Sequence, residues 1–238
     1  MSALPQSPSQ HQRRSADSYL VHGARLLWPN LPVLLIGSVL VAMGWSLVRA
    51  LSPHLGLGSI VVLGLVVVPA FAVLLRGCEV LLSDEHFGIA DLFRTGARTI
   101  LPAVKVTAVP ALAVLLTLSA VQLWQLSGQT WMLGSIGLGA AASVLTLYTG
   151  VVALPYLLRT RAPWRTGWLV SFYIATRNPV PVLAVLSAVA LAVWAAAYLS
   201  FAVILLLPAP LALVWAAAVT GATERSSTTL AARTGGLR

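Results

Sequence analysis

Long apolar runs without charged residues dominate the chain from residue 26 onward. Four of them cover Leu26–Val48, Leu55–Leu75, Val106–Trp124 and Trp131–Leu158, and a fifth run of 42 residues extends from Val180 to Gly221. A helix needs about 20 residues to cross a hydrocarbon core about 30 Å thick. A single helix of 42 residues would measure about 63 Å, so the last run must fold back into two spans. The pattern predicts an all-α fold, a polytopic transmembrane bundle of six helices.

The turn in the last run has two candidate places. Tyr198–Phe201 divides the run evenly, whereas Leu207–Pro210 contains stronger helix breakers but would leave the last helix short. We favour the even division, with Pro208 inside or kinking the sixth span. The flanking segments are polar, so we expect residues 1–19 and 223–238 to be disordered tails and residues 20–222 to be the transmembrane domain.

Basic residues alternate between the two sides of this bundle. Read in order through the tails and loops, the Arg and Lys counts are 3, 1, 4, 0, 4, 0 and 3. Because positive residues are retained in the cytoplasm during insertion, both termini are predicted to be cytoplasmic. The net charge of +9 is therefore explained by membrane topology and does not indicate a nucleic-acid partner. The preference for Arg over Lys, together with the Ala, Val and Leu bias, favours a GC-rich bacterial genome and hence the bacterial inner membrane.

Two cytoplasmic segments predict amphipathic helices lying on the membrane surface. In the first, Ser83 followed by Asp84 and Glu85 is a typical helix start, with a capping hydroxyl and negative charge at the positive end of the dipole. The same stretch has a second interpretation, because Asp84, Glu85, His86 and Asp91 are hard-metal ligands. Neighbouring residues on a helix point in different directions, and no second histidine is near. We therefore favour the capped helix and predict no metal site.

The second surface helix repeats the pattern of the first. The two copies share a Phe, an Arg five residues later and a Pro four residues after that, namely Phe93, Arg98 and Pro102, and Phe172, Arg177 and Pro181. This spacing predicts a duplicated unit of span, surface helix and span, with Pro102 and Pro181 opening the third and fifth spans. The exposed side of the two helices forms a candidate docking surface of Leu92, Phe93, Arg94, Arg98, Arg161, Arg165 and Arg177.

Polar groups within the predicted spans are few. The main candidates are Asn30, Tyr148 and Tyr156, which we interpret as helix-to-helix hydrogen bonds, with a substrate path along the two tyrosines as the alternative. No Asp, Glu, Arg or His lies inside a predicted span, which argues against ion-coupled transport. Nucleotide-binding, nucleophile-elbow and zinc-protease motifs are also absent from the sequence. We therefore expect no catalytic residue and no cofactor.

Short motifs across most of Leu26–Ala222 resemble the YesL-like family. They are Asn30-Leu-Pro32, Val68-Pro69-Ala70, Asp91-Leu-Phe93 and Arg177-Asn178-Pro179. This is a group of bacterial membrane proteins of uncharacterised activity, often linked with carbohydrate-utilisation and sugar-importer genes. The resemblance implies a non-enzymatic accessory or assembly protein that contacts a sugar importer subunit.

A transporter or permease subunit in its own right is the alternative function. Small residues at four-residue steps, in Ser135, Gly139 and Ser143 and in Ala188, Ala192, Ala196 and Ser200, favour close helix packing. The same residues could form a surface for another membrane subunit or for a homo-oligomer.

The charge asymmetry makes a direct prediction about topology. A reporter fused after Arg238 is expected to be active in the cytoplasm, and a cysteine introduced beside Gly128 is expected to react only with reagent added from outside the cell. A periplasmic reporter, or labelling beside Gly128 from the cytosol, would contradict the predicted orientation.

Overall fold

The computed structural model describes residues 29–51, 57–83, 88–160, 162–198 and 205–235. Regular structure in these ranges is entirely helical, without a strand. We number the long helices α1 (Leu31–Leu51), α2 (Leu57–Val62, a π-helical turn Leu63–Val67, and Val68–Leu82), α3 (Ile89–Ser127), α4 (Met132–Thr160), α5 (Trp164–Arg177), α6 (Pro179–Tyr198) and α7 (Pro208–Gly235).

Five of these helices are long and apolar enough to cross a membrane within the described ranges: α1, α2, α3, α4 and α6. The predicted all-α membrane bundle is therefore confirmed. The last apolar run does divide into two helices, which pack against each other. The sixth predicted span, α7, is outside the group of five because it is polar beyond Thr220.

Helix α7 differs from its prediction at both ends. Pro208 is its first residue rather than a kink inside it, because a proline needs no N–H donor in the first turn of a helix. The favoured turn itself lies mostly in residues 199–204, outside the described residues. At the other end α7 continues to Gly235, so residues 223–235 of the expected disordered tail are helical. Residues 1–19 are not described.

Helices α3 and α4 form an antiparallel hairpin and the most extensive helix pair of the described fold. Gly128 closes it in the left-handed region at φ 65°, with its N–H bonded to the Trp124 carbonyl at 2.8 Å. Glycine suits this position because it has no Cβ to clash. Further along, Gly139 lies against Thr117, and the hydroxyls of Thr117 and Ser143 are 3.0 Å apart. The predicted small-residue packing is confirmed at Gly139 and Ser143.

The first surface helix is not a separate element. Ser83 ends α2, with its hydroxyl donating to the Glu79 carbonyl at 3.1 Å. The new helix starts at Ile89, where the Asp91 carboxylate accepts the Gly88 N–H at 3.2 Å. The helix then continues through Pro102 for 39 residues. The predictions of a start at Ser83 and of a break at Pro102 are therefore wrong.

One buried stripe explains why α3 stays continuous. Its residues recur at steps of three and four, namely Leu92, Gly96, Thr99, Ala103, Val106 and Pro110. This spacing keeps a single helix face against the bundle across both prolines. Tertiary packing of that face therefore outweighs the loss of a backbone hydrogen bond at Pro102, which costs ~3 kcal/mol in an isolated helix.

The second surface helix is a separate element, α5. It ends at Arg177, and α6 begins at Pro179 rather than at the predicted Pro181. The two copies of the repeat nevertheless share an exposure pattern, because Phe93 and Phe172 are both exposed. The two copies differ because the helix ends before Asn178 in the second copy, whereas it continues through Pro102 in the first.

Two backbone carbonyls lack their usual N–H donor because a proline lies four residues later. Each accepts a hydrogen bond from an aromatic side chain of another helix. Pro155 lies inside α4 and cannot donate to the Val151 carbonyl four residues earlier; the indole N–H of Trp215 on α7 donates there at 2.8 Å. In the same way Pro179 cannot reach the Ala175 carbonyl, and the hydroxyl of Tyr148 on α4 donates to it at 2.8 Å. A carbonyl without a partner is costly in hydrocarbon, so these two bonds tie α4 to α7 and to α5.

Removal of the Trp215 donor is expected to destabilise the bundle only while Pro155 is present. Trp215→Phe leaves the Val151 carbonyl unpaired, at a cost of roughly 1–3 kcal/mol. Pro155→Ala restores the N–H that closes the α4 ladder. The Trp215→Phe penalty should therefore shrink in the Pro155→Ala background when unfolding in mixed micelles is measured as a double-mutant cycle. Equal penalties in both backgrounds would contradict this role of the indole.

Candidate functional site

Most of the described residues of the predicted docking surface are exposed. Phe93 is 59% exposed, and the four described arginines, Arg94, Arg98, Arg165 and Arg177, are also exposed. Leu92 does not belong to this surface, since it is only 1% exposed and packs in the core with Val73 and Leu81. Arg161 lies outside the described residues. Helices α3 and α5 do not pack extensively against each other in the described fold, so the surface has two separate parts. "Docking surface" hereafter means both parts, namely Phe93, Arg94 and Arg98 on α3 and Arg165 and Arg177 on α5.

The length of α3 explains why its first turns are accessible beyond the membrane. Its 39 residues measure about 58 Å, nearly twice the thickness of a hydrocarbon core of about 30 Å. From Lys105 to Ser127 the helix alone rises about 33 Å, enough to cross that core. Lys105 is exposed and can direct its ammonium group toward water at that level. Helix α3 is therefore long enough for Ile89–Val104, which carries Phe93, Arg94 and Arg98, to extend past a core that Lys105–Ser127 crosses.

Helix α5 is held close to the bundle by a glycine. Gly167 is buried, and a Cβ there would collide with the δ-carbon of Leu157 on α4. At its end, the Asn178 amide donates to the Ser226 hydroxyl of α7 at 3.1 Å. The outer face presents Trp164, and Arg177 lies over the Tyr173 ring at 5.4 Å. The arginine of this face is thus partly positioned by a cation–π contact.

The two acidic residues of this stretch that the structure describes, Glu79 and Asp91, both make local contacts. Asp91 caps α3, and Glu79 forms an ion pair with Arg76 one turn earlier on α2, at 2.6 Å. The Glu79 side chain is only 10% exposed, against 29% for Arg76. Asp84, Glu85 and His86 lie outside the described residues, and no group of three metal-ligating side chains occurs among those that are described.

Two of the three predicted intramembrane polar residues lie at helix contacts. Tyr148 bonds α5, as described above, and Tyr156 packs against both buried clusters of the bundle. Asn30 precedes α1, where its main-chain carbonyl accepts the Leu34 N–H at 3.1 Å. Both tyrosines pack against one buried cluster, and a substrate path along them stays a hypothesis.

A cavity of about 460 Å³ lies between the membrane-crossing helices. Helices α1, α2, α3, α4, α6 and α7 all contribute to its wall. Its lining includes Trp45, Gly64, Val67, Val106, Thr107, Pro110, Val114, Gly150, Val151, Ala196, Pro208 and Trp215. No charged side chain is in the lining; its one hydroxyl, on Thr107, donates to the Ala103 carbonyl at 2.9 Å. The two indoles add N–H groups, and that of Trp215 is already bonded to Val151.

The α2 side of the cavity is a π-helical turn. Its Leu63–Val67 stretch precedes Pro69, and the Val68 N–H bonds the Leu63 carbonyl five residues back. Pro69 has no N–H for the Leu65 carbonyl, and a π-helical ladder offers that carbonyl the N–H of the following residue instead. The proline thus accounts for the irregular turn at the cavity wall.

Two glycines leave part of the cavity wall without side chains. Gly64 lies on the π-helical turn of α2 and Gly150 lies on α4. A Cβ added at either one would meet no atom of a neighbouring element within 4 Å. Both backbones therefore border open space.

The cavity is partly open at the surface of the bundle, and its lining is almost entirely apolar. Water gains few hydrogen bonds in such a place. The chemistry of the lining therefore favours an apolar occupant.

A scan against protein-family models, a search of curated proteins and a search of solved structures each found no match to this chain. The resemblance to the YesL-like family therefore stays a prediction.

The contribution of the Arg76–Glu79 ion pair to stability can be tested by substitution. Arg76→Met removes the hydrogen-bonded partner of the nearly buried Glu79 carboxylate and leaves only the more weakly interacting Arg159, so it should cost about 3 kcal/mol of unfolding free energy. The double variant Arg76→Met/Glu79→Leu removes both charges and should recover most of that loss. Thermal unfolding in detergent of the two variants, with Arg94→Met as an exposed control, measures the difference. A double variant no more stable than Arg76→Met would contradict this account.

Proposed function

We propose that this chain is a non-enzymatic accessory or assembly protein of the bacterial inner membrane, which binds a membrane partner through the docking surface. The observation that supports the proposal most directly is the exposure of Phe93 and four arginines on α3 and α5. An aromatic side chain beside arginines is typical of protein interfaces, where both residue types are enriched.

The proposed orientation rests on the distribution of charge. Of the 15 basic residues, 14 fall in segments assigned to one side, which favours a cytoplasmic docking surface and cytoplasmic termini. The association with a carbohydrate importer rests on the YesL-like resemblance alone. An importer subunit is thus the partner to test first, and a second copy of the chain is the next.

A transporter or permease subunit is the second candidate function, and the cavity between six helices supports it. Its lining has no charged group and one hydroxyl, which is already bonded to backbone. A sugar or ion would lose its hydration there without gaining partners. The cavity therefore supports transport of an apolar solute better than that of a sugar.

Site-specific cross-linking tests the docking proposal. A photoreactive phenylalanine analogue at Phe93 or Arg98 is expected to cross-link an importer subunit, identified by mass spectrometry, in cells that grow on the imported sugar. Leu138 is the matched control, because it is 76% exposed on α4 and distant from the docking surface. The same product from Leu138, or no importer subunit from either docking position, would contradict the proposal.

Solute uptake separates the two candidate functions. Vesicles that contain only this protein are expected to take up a labelled sugar no faster than protein-free vesicles. Sugar accumulation above that background would favour the permease alternative over the accessory role.

A further inference from the structure

We propose that the cavity is a binding site for one acyl chain of a membrane phospholipid. This inference does not rest on the proposed docking role, because no residue of the docking surface lines the cavity. Three features of the cavity support it: the chemistry of its lining, its position in the bundle and the open space beside two of its glycines.

The chemistry of the lining selects a hydrocarbon. About 460 Å³ is within the range of pockets that hold small molecules. The wall offers no charged side chain that could bind a phosphate or a carboxylate. Only the hydrocarbon part of a lipid can therefore enter without losing the hydration of its polar group.

The position of the cavity selects a phospholipid as the source of that chain. Its wall includes residues close to helix ends, such as Ala196 near the end of α6 and Pro208 at the start of α7. When an acyl chain enters at this end of the bundle, the headgroup of its phospholipid stays at the level where α6 ends and α7 begins. Phospholipid chains are also the most abundant apolar molecules around membrane-crossing helices, so no scarce ligand is needed.

The two cavity glycines give a direct way to fill the site. Leucine at Gly64 or Gly150 would extend into the space that we assign to the acyl chain, without meeting a neighbouring helix at its Cβ. Gly137 is the matched control, since it lies on α4, has equally open surroundings and does not line the cavity.

The test uses the full-length chain in vesicles of phosphatidylcholine that carries a diazirine in one acyl chain. After illumination, wild-type protein is expected to carry lipid adducts at Val67 and Val114, two partly buried residues of the cavity lining. These adducts should be lost in Gly64→Leu/Gly150→Leu and kept in Gly137→Leu. Adducts at the exposed Leu138 should persist in all three proteins.

Several results would overturn the proposal. Wild-type protein without adducts at Val67 and Val114 would leave no acyl chain in the cavity, and this readout needs no variant. Adducts that persist in the double variant, or in Gly150→Leu should the double variant not fold, would place the chain elsewhere. In a second arm, a free diazirine fatty acid replaces the phospholipid; labelling of the two valines by the fatty acid alone would make that acid the occupant.

Discussion

The constraint that governs this structure is that hydrocarbon cannot satisfy a backbone polar group. Prolines inside helices, such as Pro102, Pro110 and Pro155, make this constraint hard to meet, because each leaves the carbonyl four residues earlier without its usual donor. The bundle answers locally in three ways. The Trp215 indole bonds the Val151 carbonyl, the Tyr148 hydroxyl bonds the Ala175 carbonyl, and a π-helical turn precedes Pro69. The first two answers are also tertiary contacts, so the prolines contribute to the way the helices are joined.

The second determinant is the length of α3 relative to the bilayer. A helix that crosses the core and continues past it carries its packing stripe out of the membrane, so that Leu92 is buried while Phe93 beside it is exposed. Helix α5 is positioned differently, through close packing of Gly167 on Leu157 and a break in the helix at Asn178. Exposed arginines are thus presented on rigid helices instead of loops. Rigid presentation lowers the entropy cost of binding a partner.

The sequence was a good guide to the spans and a poor guide to the breaks between helices. Apolar length is a property of one segment, and it identified the five helices that can cross a membrane. Whether a helix continues through Pro102 or stops depends on the stripe from Leu92 to Pro110 and on its partners in other helices, which no local pattern shows. The cavity and the Trp215 hydrogen bond could not be predicted for the same reason, because both depend on residues far apart in the chain. A proline four residues after a carbonyl indicates from sequence that this carbonyl needs another hydrogen-bond donor. It does not indicate which side chain is that donor.

The break in the helix at Asn178 has a mechanical consequence. The end of α5 is bonded to α4 through Tyr148 and to α7 through Ser226, and α6 follows directly from it. These three helices are also walls of the cavity. A displacement of α5 therefore acts directly on the three helices that line the cavity. In the same way, a change in the cavity acts on the end of α5.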